Sequence, residues 1–327
     1  MALVDRVIPA AADPWTEVDN VDAVEHVLAN RRKSDPYLWL RLVEPDNAQL
    51  ERLGRVLSLD PVIVRDLQSG QQSPRLQRMG EHLYAAVWDL PDDDQSIASL
   101  VTVTVLAGSG WLVTLRSANG TEASNLVDAL RDATPPAESP LTAALAVLTE
   151  VARRYATRAA QLETSLERLE EDVFNPGIVE NVQHVYEVRR SIGRLDRAVS
   201  GLAAALESAE HDLAGLVDSD PPLEPYLRHL TDDIAGTAGV MKDQAKALDA
   251  AVSSHESNVS MRQNRDMRTV STVAALFAFP TVISGLYGMN LPDIPLGNTP
   301  QGWAMVAGGA ILLDAIAFMI FKHRHWV

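Results

Sequence analysis

Cysteine is absent from the 327 residues, which excludes disulfides and thiolate metal sites. Aromatic residues are scarce, at 5%, and basic residues are outnumbered: 28 Lys and Arg face 44 Asp and Glu, for a net charge of −16. A chain this acidic repels phosphates, so nucleic acid is excluded as a partner, while divalent cations are drawn to it. There is no P-loop, no HExxH and no nucleophile motif. ATP-driven transport and hydrolysis therefore find no support, and the expectation is a protein that is not an enzyme and takes no organic cofactor. Met1 to Trp15 carries Asp5, Arg6 and Asp13 and lacks an apolar stretch of secretory-signal length. Long apolar runs are also rare, and there are only two.

Those two runs are the most informative feature present. Thr269 to Tyr287 holds 19 residues without a charge, and Gly302 to Phe321 holds 20 with one, Asp314. About 20 apolar residues at ~1.5 Å each cross a hydrocarbon core of ~30 Å. Joined by a short Gly/Pro/Asn loop, they predict a transmembrane hairpin. Arg262, Arg265 and Arg268 precede the first run, and Lys322 and Arg324 follow the second, whereas Gly288 to Gln301 has no Lys or Arg. By the positive-inside rule both ends are cytoplasmic and the loop lies outside a cytoplasmic (inner) membrane. After position 260 the chain is net +2, which leaves −18 in the first 260 residues.

The soluble part changes character at about residue 140. Before it, Tyr37 to Val43, His82 to Leu90, Leu100 to Leu106 and Trp111 to Leu115 read as strands, with helices over Ala48 to Leu57 and Ala123 to Ala133. Gly108-Ser109-Gly110 starts like a dinucleotide loop, but Val113 and a following strand make it a hairpin turn. After it, strand signals stop. Leu141 to Phe174 and Val179 to Leu216 predict two helices, ended by Asn175-Pro176-Gly177 and by Asp218 to Pro222. Small or apolar residues at 227, 230, 234, 237, 241, 245, 248 and 252 form a heptad-like seam. One helix from Leu223 to Tyr287 follows, roughly 100 Å long, which must pack against its neighbours and copies of itself.

The chain thus divides into an α/β domain over 1–140, a helical hairpin over 141–222 and a stalk helix over 223–268. The first transmembrane helix is 269–287, the outer loop 288–301, the second transmembrane helix 302–321 and a basic tail 322–327. The expected fold class is an α+β cytoplasmic domain with a long coiled stalk helix, followed by two transmembrane α-helices.

At ~100° per residue, Met267, Val270, Ala274, Ala278, Thr281, Gly285 and Gly288 share one narrow face, with Asn264 and Ser271 at its edge. Leu276, Phe279, Ile283 and Leu286 lie opposite. A small, weakly polar stripe suits either tight helix pairing or the wall of a narrow conduit. Gly288 and Asn290 at the outer mouth would, in a ring of subunits, offer neutral carbonyl and carboxamide oxygens. Such oxygens hold a hydrated Mg²⁺ through its water shell without binding it too tightly to leave.

The stretch RQNRDMRTVSTVAALFAFPTVISGLYGMN, the second span and the tail KHRHWV resemble the CorA family of magnesium and cobalt channels. LDPVIVRDLQSGQQSPRLQRMGEHLYAAV and YLRHLTDDI resemble it too, so the likeness covers most of the chain. It implies a homopentameric funnel whose stalk helix lines the pore, with lipid and divalent cations as its other partners. Gly288, Met289 and Asn290 match the filter motif, and Asn264, Met267 and Thr281 match pore positions. Val270 and Ala278 stand where bulkier gates are frequent. The loop reads LPDIPLGN, with Asp293 its sole acid. The family also implies Mg²⁺ as a regulatory ligand as well as cargo. One half of that site falls at Asp92, Asp93 and Asp94, and the other on the stalk at Asp249 and Glu256, either side of Ser253. The plainer reading of these acids is solvated surface.

Asp314 costs ~2.5–3.5 kcal/mol to insert, so it marks either a function or burial against the first span, of which burial is the simpler. The likeness implies a passive Mg²⁺ channel that also passes Co²⁺ and Ni²⁺. Two other readings stay open: a zinc transporter of the same build, with or without proton coupling, and a non-conducting membrane-anchored scaffold. An intact GMN argues against the first and the pore stripe against the second.

Overall fold

A computed structural model describes residues 5–7, 16–17, 37–70, 73–80, 82–90, 101–116, 139–174, 182–289 and 299–323. The expected helix over Ala123 to Ala133 lies outside them. The chain forms two units, Met1–Asp249 and Ala250–Val327.

In the first unit the strands are β1 (Asp5–Val7), β2 (Thr16–Glu17), β3 (Leu38–Val43), β4 (Arg75–Met79), β5 (His82–Asp89), β6 (Val101–Gly108) and β7 (Trp111–Arg116). Among the described residues these seven form one sheet, in the order β2-β1-β3-β7-β6-β5-β4. β3 and β7 are parallel, with Leu38 opposite Trp111, and the other pairs are antiparallel. Ser109-Gly110 is the two-residue turn between β6 and β7, and it needs glycine, because Gly110 has φ +82°. Helices α1 (Asn47–Val56) and α2 (Pro61–Gln68) cover one sheet face. Leu38, Leu40, Leu42, Tyr84, Leu106 and Val113 there pack with Leu50, Leu53, Ile63 and Leu67. Because the opposite face is covered too, β6 is buried at every position.

α2, β4 and the short strands β1 and β2 have no counterpart in the sequence-based expectations. An eight-residue helix shows barely two turns of periodicity, and β4, RLQRM, is a charged edge strand. Local chemistry nevertheless starts both helices. Asp46 and Gln49 form a reciprocal capping box at 2.7 and 2.8 Å, and Asp60 caps Val62 N at 2.8 Å ahead of Pro61.

Helices α3 (Pro140–Phe174) and α4 (Val182–Ser208) cover the other sheet face, followed by α5 (Glu210–Ser219) and a 3₁₀ turn, Pro221–Leu223. The single helix expected over Val179 to Leu216 is therefore two. The break is at Ala209, whose amide is shared between the carbonyls of Ala205 (3.1 Å) and Leu206 (3.2 Å). Neither Gly nor Pro marks the spot.

Gly201 of α4 lies so close to β4 that an added Cβ would sit 2.6 Å from Pro74 Cγ. Gly201→Ala should gain ~1 kcal/mol of helix propensity and lose ~1–3 kcal/mol to overpacking against a rigid ring. We expect a net fall in the thermal midpoint of the full-length protein. A rise would mean the ring yields.

Helix α6 runs unbroken from Glu224 to Gly288, with Pro280 inside it. Its buried stripe is Leu230, Ile234, Thr237, Met241, Gln244, Leu248 and Ala251, alternating steps of four and three. Positions 245 and 252 of the expected seam are only half-buried. Gln244 displaces Ala245 because its Nε2 donates to the Ala159 carbonyl at 2.8 Å, so its amide can enter the packing.

Candidate functional site

The second unit holds the end of α6 and α7 (Pro300–His323). Both are long and apolar enough to cross a membrane. On α6 the less exposed residues are Thr269, Thr272, Leu276, Pro280, Ile283 and Tyr287; on α7 they are Gly302, Val306, Ala307, Ala310, Asp314, Ala317 and Phe321. The steps of three and four make each set one stripe. An open groove of about 340 Å³, lined by Met267, Arg268, Ser271, Thr272 and Ala275 of α6 and by Phe321 of α7, brings the two helices together at that end, so two residues of the small-residue stripe share it. Val273, Phe277, Phe279 and Val282 of α6, and Ile311, Leu312 and Met319 of α7, are exposed. Large outward-facing apolar side chains suit a hydrocarbon solvent. Of the four large residues that the wheel places opposite the small-residue stripe, Leu276 and Ile283 are half-buried, whereas Phe279 and Leu286 are exposed.

The small-residue stripe lies on the face opposite the covered one. Asn264, Met267, Val270, Ser271, Ala274, Ala278, Thr281, Gly285 and Gly288 are all exposed in the single chain, Met267 at 67% and Val270 at 66%. Its hydroxyls are oriented. Thr281 Oγ1 donates to the Phe277 carbonyl at 2.6 Å, and Ser271 Oγ donates to the Met267 carbonyl at 2.7 Å. A hydroxyl that has given its proton to the backbone shows only lone pairs outward. Such oxygens can accept from the water shell of a hydrated cation and cannot donate to an anion. Pro280 removes one helical donor from the same segment.

Gly288 closes α6, and Met289 follows it, 53% exposed. Asn290 and Asp293 lie outside the described residues, as do Asp92, Asp93 and Asp94. Asp249 is exposed, 4.0 Å from Arg189 Nη2, and Glu256 is exposed. Among the described residues no group of three or more His, Asp or Glu is placed to hold a metal ion. Asp314 is half-buried on the covered stripe of α7, where burial against the first span would put it.

Sequence reasoning missed one polar cluster altogether. Asp89, fully buried at the end of β5, accepts from Arg154 Nη1 at 2.8 and 2.9 Å, from the Leu90 amide at 2.9 Å, and lies 3.7 Å from Arg116 Nη2. Burial pushes its carboxyl above the ordinary aspartate value against the pull of both guanidiniums. Tyr155 beside it donates to the Trp88 carbonyl, and burial pushes its hydroxyl far up. One aspartate in an apolar strand and two arginines far along the chain give no joint sequence signal. The cluster pins α3 to the ends of β5 and β7.

A family model described as "CorA-like Mg2+ transporter protein" matches residues 34–323. The chain is 21% identical over 98% of its length, and 92% of the relative's, to the cobalt/magnesium transport protein CorA of Thermotoga maritima. It is 23% identical to the protein of that name from Methanocaldococcus jannaschii, over 89% and 91% of the two chains. The complete structure of the CorA magnesium transporter from M. jannaschii superposes with a TM-score of 0.75 at 17% identity, covering 100% of this chain and 99% of that one.

Proposed function

Since the chain belongs to the CorA-like Mg²⁺ transporter family, we propose that it is a passive, potential-driven Mg²⁺ channel of the cytoplasmic membrane that also passes Co²⁺ and Ni²⁺. The observation that carries this reading is the exposed stripe opposite the covered face of α6, with its hydroxyls turned into acceptors. In a single chain that stripe encloses nothing. Copies arranged about an axis would bring it inward, and the family likeness favours five copies. Gly288, Met289 and Asn290 then form the outer ring, and both chain ends lie in the cytoplasm. An inside-negative potential supplies ~2.3 kcal/mol per charge per 100 mV, so about 4.6 for a divalent ion, without ATP.

Uptake of Mg²⁺, Co²⁺, Ni²⁺ and Zn²⁺ into proteoliposomes under an imposed potential tests this. Mg²⁺ flux that rises with inside-negative potential is expected. Zn²⁺ flux requiring a proton gradient would favour a zinc transporter, and no flux of any ion a scaffold.

Cytoplasmic Mg²⁺ is proposed to close the pore by bridging Asp92, Asp93 and Asp94 of one subunit to Asp249 or Glu256 of the next. Bridging relieves the mutual repulsion of regions of net −18, so loss of Mg²⁺ loosens the ring. Converting Asp92, Asp93 and Asp94 to Asn should abolish both Mg²⁺ protection against protease and Mg²⁺ inhibition of uptake. Survival of both effects would remove this turn as the sensor.

A further inference from the structure

The two flanks of the α3–α4 hairpin carry opposite charge. On α3 the covered residues are Tyr155, Ala159, Leu162, Leu166 and Leu169. Glu163, Glu167, Glu170 and Glu171 lie to one side of that face and Arg158 to the other, roughly 160° round the helix at ~100° per residue. None of the four glutamates makes an ion pair among the described residues. Arg190, Arg194 and Arg197 of α4 share one face by steps of four and three, with Glu187 a step of three before them, so that face is net +2, and Arg194 is near enough to Arg158 to repel its charge. Both are half-buried, and burial plus neighbouring guanidiniums hold them below the ordinary arginine value. A chain of net −16 has thus gathered four of its 28 basic residues on one flank, facing away from its own row of acids.

A closed ring with one subunit type needs a head-to-tail contact, in which two different patches of the same chain complement each other. Resting on the oligomeric reading above, we infer that the Arg158/Arg190/Arg194/Arg197 flank of one subunit docks on the Glu163/Glu167/Glu170/Glu171 flank of the next copy. The partner is a second copy of this chain, because the basic patch and its complement occur on opposite sides of one rigid helical layer. Contacts of this kind fix orientation and exclude wrong pairings, and they weaken with salt.

The absence of cysteine makes the test clean. In the full-length protein in detergent, an Arg194→Cys, Glu167→Cys double variant should oxidise to covalent multimers, whereas either single variant should not. Arg190→Glu with Arg194→Glu should raise the concentration for half-dissociation about tenfold, as should Glu167→Arg with Glu171→Arg. Combining the two reversals should restore assembly to within about threefold of wild type. A ring of unchanged mass with no cross-link and no effect of either reversal would overturn the contact while leaving the oligomer standing. Loss on arginine reversal without rescue by the combined variant would also overturn it. A monomeric wild type by light scattering would remove both readings.

Discussion

Asn290→Ala is expected to reduce Mg²⁺ uptake into proteoliposomes to the level of empty vesicles while the protein still inserts and assembles. The carboxamide oxygen is proposed to accept from the water shell of the ion at the outer mouth. Alanine can accept nothing there. Mg²⁺ surrenders its waters reluctantly, so in the proposed five-copy ring the selective element would grip the hydrated ion, and removing five acceptors at once would leave the ion no better held than in bulk. Asn290→Asp keeps the shape and adds a charge to each subunit. That ring should bind divalent ions more tightly and release them more slowly, lowering maximal flux together with the half-saturating concentration. Normal Mg²⁺ flux through a correctly inserted Asn290→Ala protein would sink the filter assignment.

Asp89→Ala should produce the largest loss of stability in the soluble part. The carboxylate is fully buried, and Arg154 and Arg116 are themselves mostly buried, at 16% and 13% side-chain exposure. Removing one partner of such a group leaves uncompensated charge out of water, a cost of ~3–5 kcal/mol. For a unit of this size the thermal midpoint should fall by about 10 °C, as read by tryptophan fluorescence of the full-length protein. Asp89→Ala with Arg154→Met should recover part of the loss, since it removes the stranded guanidinium and keeps most of its volume. A single substitution within about 1 kcal/mol of wild type would show that water reaches the cluster.

How legible was this molecule? The α+β class, the long helix and two apolar helices were readable because each rests on a local pattern: apolar runs bounded by turns, steps of three and four, two stretches of bilayer length. The Gly108-Ser109-Gly110 turn was readable for the same reason, since a positive φ at Gly110 is a property of that residue. Failures came where the deciding partner is far along the chain. The periodicity puts Ala245 in the seam where the structure buries Gln244, because Ala159, 85 positions away, supplies an acceptor. At Ala209 no Gly or Pro marks the interruption, so the local pattern gives no sign of it.

The sequence by itself determined where the two apolar helices of bilayer length lie, which face of the first is small and weakly polar, and which tripeptide follows it. Periodicity, length and charge bias are written in consecutive residues. Tertiary structure alone decided which residues of α6 and α7 are shielded from solvent, that Asp89 gathers Arg116 and Arg154, and that Arg158 of α3 lies beside Arg194 of α4. Each of those depends on which surfaces are removed from water when separate elements pack, and burial is a property of pairs of elements that no single stretch of chain encodes.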